Sequence, residues 1–83
     1  MRQPHPSRHA TVIDVTALQP GTCRHTIEST FAGLRTGEAL EVVAAHDPAP
    51  LRAHFAMERP GQSEWTCLEK GPTRWRVRLV RIA

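Results

Sequence analysis

Ala44-Ala45-His46-Asp47-Pro48-Ala49-Pro50-Leu51 is the stretch whose reading decides the fold of this chain. An apolar, β-type run from Leu40 to Ala45 ends at His46, and helix-start chemistry follows at once. Asp47 suits an N-cap, Pro48 suits the first helical position, and Leu51 and Phe55 fall one turn apart on a common face. A strand therefore hands over to a helix at His46-Asp47, and such junctions are frequent ligand addresses in α/β proteins.

Working outward, Thr11 to Val15 is a β-branched run that predicts the first strand. Thr16 to Thr22, with Pro20-Gly21, is turn chemistry. Thr22 is placed to cap a first helix carrying Ile27, Phe31 and Leu34 at i, i+4 and i+7, and Gly37 is placed to end it. Glu38 to Ala45 reads as the second strand and Pro48 to Arg59 as the second helix, stopped by Pro60-Gly61. Ser63 to Glu69 is the third strand, Lys70-Gly71-Pro72 a turn, and Arg74 to Ile82 the fourth strand. In that strand Trp75, Val77 and Leu79 alternate with Arg74, Arg76 and Arg78, so one face is buried and the other wet.

The pattern is β-α-β-α-β-β: an α+β, two-layer sandwich with both helices on one face of a mixed sheet. Right-handed crossovers make the first three strands parallel, and the final hairpin runs strand four against strand three. The chain has 83 residues, 40% of them hydrophobic and 23% charged, which fits one small globular domain over residues 11–83. Residues 1–10 read as a disordered tail without the apolar centre of a secretory signal, and no run is long enough to cross a membrane. Those features predict a cytoplasmic protein. The formal charge of +3 permits anion binding without demanding it. The two cysteines, Cys23 and Cys67, lack C-x-x-C spacing and predict no metal knuckle or disulfide framework.

This topology brings distant residues to one rim. Strands one and two end there, so helix one begins there with Cys23, Arg24 and His25, and helix two begins there with His46 and Asp47. Strand four starts there, adding Arg74 and Trp75 beside Cys67 and Lys70. Two helix N-termini at one edge favour an anion. His25 and His46, with Asp47, have the ligand types for a metal. Cys23, in a first helical turn beside Arg24 and His25, has the electropositive setting that suits nucleophilic or carrier chemistry. His54 falls beside the Leu51/Phe55 face and reads as a partly buried helix residue, and Cys67 as partly buried in its strand. The Arg74/Arg76/Arg78 row could track a phosphate backbone. The commoner arrangement is pairing with Glu41, Glu64 or Glu69 across strands, and with two Trp and no Tyr to stack bases, nucleic acid is not the expected partner.

Taken together, Asp14-Val15 with Leu18 and Pro20, Arg24-His25, Gly37-Glu38-Ala39-Leu40, His46-Asp47-Pro48-x-Pro50-Leu51, Glu58-Arg59-Pro60-Gly61, Trp65 and Gly71-Pro72-x-x-Trp75-Arg76-Val77 resemble one family. It is the bacterial domain of unknown function numbered twenty-two forty-nine, a relative of the TusA/SirA sulfur carriers. The resemblance spans about residues 11 to 82. It implies a TusA-like fold with strand order 1-2-4-3, and a link to redox or sulfur metabolism. A redox-linked or haemerythrin-type protein is the implied partner; no cofactor is implied. TusA-type carriers present Cys-Pro-x-Pro at the start of helix one. Here that place reads Cys23-Arg24-His25-Thr26, without either proline. The expected function is accordingly an accessory binding module whose rim of Arg24, His25, His46 and Asp47, with Arg74 and Trp75, takes a small anion, a metal-linked group or a protein. A carrier or thiol-redox protein acting through Cys23 is the alternative, and nucleic-acid binding by the arginine face the second.

Overall fold

Val42, in the second strand, pairs with Ile13 of the first strand and Val77 of the fourth, and the sheet is built around it. In the computed structural model, which describes residues 11–19 and 21–83, the strands are β1 (Thr11–Asp14), β2 (Ala39–Ala44), β3 (Ser63–Glu69) and β4 (Trp75–Arg81). Their order is β1-β2-β4-β3. β1 runs parallel to β2, and β4 runs antiparallel to both β2 and β3. The expected order and strand directions are therefore present. Helices α1 (Cys23–Ala32) and α2 (Ala49–Glu58) supply the two crossovers.

The period of two along each strand sorts the residues by face. Ile13, Leu40, Val42, Val77 and Leu79 form one cluster with Ile27 and Phe31 of α1 and Phe55 of α2. Both helices thus cover the same side of the sheet. Phe31 meets Phe55 edge-on at 5.2 Å between centroids, and Phe55 meets Trp65 of β3 edge-on at 5.7 Å, spacings at which aromatic pairs attract beyond their buried area. The opposite face carries Glu41, Arg76 and Arg78. Arg81, at the end of β4, returns to the helix side. Its guanidinium donates to the carbonyls of Ala32 at 3.2 Å and Leu34 at 2.9 Å and lies over the Phe31 ring. The free carbonyls at the end of α1 therefore receive a cation from another layer.

Several boundaries differ from the sequence reading, each for a local reason. Val15 leaves β1, because the Asp14 carboxylate accepts from the Thr16 N–H at 3.0 Å and starts a turn of 3-10 helix over Val15–Ala17. Thr22 does precede α1, yet its hydroxyl donates to the Gln19 carbonyl and not to the helix. Gly37 does not end α1. Gly33 does, its N–H reaching the Ser29 and Thr30 carbonyls. Gly37 lies four residues on at φ 93°, in the turn into β2, where its N–H donates to Arg81 at 2.7 Å. Leu34 is consequently outside the helix but still packs on the core. α2 starts at Ala49 with Pro48 as its flanking residue, so Asp47 lies one position further out than an N-cap. It still serves the helix, accepting from the Ala49 N–H at 2.9 Å. Arg74 precedes β4, and Ile82 follows it. The tail expected over residues 1–10 lies outside the described residues. No helix among the described residues is long and apolar enough to cross a membrane.

Phe55 is 1% exposed and touches both α1 and β3 through aromatic faces. Phe55→Ala should lower unfolding free energy by about 3–5 kcal/mol, read from urea midpoints at constant slope. Met57→Ala, on the exposed side of the same helix, should change it by less than about 0.5 kcal/mol.

Candidate functional site

Because β1 and β2 are parallel and both crossovers lie on one side, the first turns of α1 and α2 open at the same sheet edge. Between them is a cleft of about 500 Å3. Its walls are mostly apolar: Val15, Ile27, Val42, Ala44, Pro50 and Leu51. Its polar groups are Arg24 and Cys23 from α1, Thr16 from the 3-10 turn, and His46 and Asp47 from the β2–α2 junction. Arg24, His46 and Asp47 are exposed and Cys23 is half-buried. The Cys23 thiol donates to the Val15 carbonyl at 3.7 Å. Neither helix has an acidic residue in its first turn, and α1 has no side-chain cap. Among the described residues the first N–H groups of α1 thus have no side-chain acceptor, beside a cation, at the mouth of an apolar cleft.

The predicted rim is divided by the structure. Cys23, Arg24, His46 and Asp47 meet in this cleft. His25 does not join them. It lines a neighbouring depression, bordered also by Cys23 and Arg24, with Glu28 and His54, which pair with each other between α1 and α2. His54 is thus partly buried, as its sequence position implies, and is taken up by Glu28. His25 and His46 line different cavities, with Cys23 and Arg24 bordering both. Among the described residues no group of three or more His, Cys, Asp or Glu side chains is placed to hold a metal ion.

Arg74 is also displaced from the rim. It lies on the far side of the sheet, near Asp14, with its guanidinium 3.5 Å from Glu69. The alternation along β4 explains this: Trp75 points to the helix side, so Arg74 points away. Trp75 itself lines a second cleft behind Asp47 and Pro48. Cys67, expected to be partly buried, is exposed, because β3 is an edge strand. On the outer face Arg76 pairs with Glu41 at 3.0 Å and Glu69 at 3.1 Å, which hold the guanidinium in its charged form and raise its pKa. Arg78 has its Nε buried without a partner among the described residues. Two of the three arginines of the row are therefore already engaged by carboxylates.

Sequence reasoning missed Val15 of the apolar wall and the Thr16 hydroxyl beside it, by extending β1 one residue too far. The signal was present in Asp14-Val15-Thr16, where Asp two residues before a Thr is turn chemistry. The Asp14 carboxyl is held below its ordinary value first by the Thr16 hydroxyl, then by the Thr16 N–H, with a smaller contribution from Arg74.

A family model described as Uncharacterized conserved protein (DUF2249) matches residues 12–81. No curated protein sequence matches the chain. Among solved structures, the chain is similar to the solution structure of HP1264 from Helicobacter pylori. The TM-score is 0.69 at 13% identity, over 88% of this chain and 99% of that one. At that identity the likeness speaks for the fold, a small α+β sandwich.

A carboxyl whose pKa is lowered in the folded state stabilises it above the unfolded value, near 3.9, and loses that contribution as pH falls through the folded value. Asp14→Asn should therefore be less stable than the parent at pH 7. The difference should close as pH falls below about 4, as followed by thermal melts across pH.

Proposed function

This chain belongs to the uncharacterised conserved family DUF2249, and we propose that it is a binding module for a small anion carried on an apolar body. The observation that carries the proposal is the composition of the first cleft. Aliphatic walls around a space able to hold a small ligand meet one cation without a carboxylate partner among the described residues, Arg24, one imidazole, His46, and the first turn of α1, which has no side-chain cap. A short-chain carboxylate satisfies all of these at once. Its chain lies on Ile27, Val42 and Leu51, and its carboxylate accepts from Arg24 and the α1 backbone. Asp47 accepts from the Ala49 N–H through Oδ1 and so holds the start of α2.

A second reading rests on Cys23, the thiol in that same cleft. It includes kinship with the TusA-type sulfur carriers and a role in sulfur or redox metabolism. The support is the element order and the position of Cys23 at the first residue of α1, where those carriers present their cysteine. In a carrier reaction the Cys23 thiolate attacks the outer sulfur of a donor persulfide, RSSH. The donor's S–S bond breaks, a new one forms on Cys23, and RSH leaves with the proton. The missing prolines and the bond from Cys23 to the Val15 carbonyl weigh toward the first reading.

Hexanoate binding, measured by calorimetry at pH 7, distinguishes the two. The parent should bind, Arg24→Ala should bind on the order of tenfold more weakly, and Cys23→Ser should bind as the parent does. Absence of binding, or binding indifferent to Arg24, would overturn the first reading. Mass spectrometry after treatment with a persulfide donor should show no added sulfur atom on Cys23. A gain of one sulfur there, lost in Cys23→Ser, would favour the carrier.

A further inference from the structure

Asp47 and Pro48 are a wall shared by two cavities. On the side away from the first cleft lies a second, of about 230 Å3. It opens between the first turn of α2 and the facing ends of β3 and β4. Arg52, Trp65, Cys67, Lys70 and Trp75 line it together with Asp47. The two indoles come from adjacent antiparallel strands, both on the helix side of the sheet.

Both rings are held in place before any ligand arrives. Trp65 packs edge-on to Phe55, and its indole N–H donates to the Ser63 hydroxyl at 2.9 Å. Trp75 lies so close to Gly71 that a methyl group there would sit 2.7 Å from its Cζ2. A site with fixed aromatic walls loses little side-chain freedom on binding. The cations differ from those of the outer face. No carboxylate lies within 4.0 Å of Arg52 or Lys70 among the described residues. Asp47, the one carboxylate of the lining, accepts from the Ala49 N–H.

We propose that this second cleft binds a small aromatic anion, with its ring against the indole walls and its charge between Arg52 and Lys70. An aliphatic anion leaves the π-faces unmatched, and a neutral aromatic leaves two cations unmatched. The volume is below that of a site for a drug-sized molecule, so the occupant is a single ring or two fused rings. The inference does not rest on the first cleft being occupied.

The chain has two Trp residues, and both line this cleft, so intrinsic fluorescence reports its occupancy directly. The probes are 4-nitrobenzoate, which quenches indole on contact, and its neutral analogue 4-nitrobenzyl alcohol. Quenching by the anion should saturate, at concentrations on the order of tenfold below those needed for the alcohol. The variant Arg52→Ala/Lys70→Ala alters two exposed side chains, and its fold is checked by circular dichroism. It should quench alike with both probes. Arg24→Ala, which removes the cation of the first cleft, should behave as the parent. Equal quenching of the parent by both probes, saturable quenching that survives in the double variant, or its loss in Arg24→Ala would each overturn the assignment.

Discussion

The edge-to-face run from Phe31 through Phe55 to Trp65 is the contact on which the rest of the molecule depends. It ties α1 to α2 and α2 to the edge strand β3. Phe31 and Phe55 are among the largest fully buried side chains, and in a chain of 83 residues the core has little to spare. Once both helices are pinned to one face, their directions follow. Each climbs back from a parallel strand, so each begins at the edge where β1 and β2 end. The shared helix starts, the cleft between them and the place of Arg24 are consequences of that packing. Arg81 completes the arrangement by meeting the carbonyls at the other end of α1.

The β2–α2 junction then acts as a partition. His46 lines the first cleft, whereas Asp47 and Pro48 border two cavities of different character. The first is aliphatic with one cation; the second is aromatic with two. The junction's stiffness comes from Asp47 holding the Ala49 N–H and from the fixed backbone angle of Pro48. Across the sheet, the outer face shows the opposite economy of charge. Arg74 and Arg76 are matched by Glu69, and Arg76 also by Glu41, so its positive character is largely spent within the protein.

Element order and the buried face of each strand were legible in the sequence, because both rest on periodicity. Trp75, Val77 and Leu79 alternate with arginines, and Ile27 and Phe31 recur at one helical turn. The family could be reached from the His46-Asp47-Pro48-x-Pro50-Leu51 block and its neighbours. Element ends were less legible, since they depend on backbone hydrogen bonds that compete locally. Thr22 turned back to Gln19, Gly33 ended α1 before Gly37 was reached, and Asp14 drew Val15 out of β1. His25 is set apart from the first cleft for a rotational reason. Successive residues on an α-helix point about 100° apart, so Arg24 borders both the first cleft and the neighbouring depression, whereas His25, adjacent in sequence, lines the depression and not the cleft. Topology places residues at an edge, and only the helix phase decides which of them share a space.

The central claim is that the cleft between the two helix starts receives an anion on an apolar body. Backbone amide chemical shifts of the labelled protein, followed during a hexanoate titration, test it most directly. The account predicts saturable shifts concentrated at Val15, Thr16, Cys23, Arg24, Ala45 and His46, with Glu41, Arg76 and Arg78 of the outer face unmoved. Shifts concentrated on that outer face, or none that saturate, would contradict it.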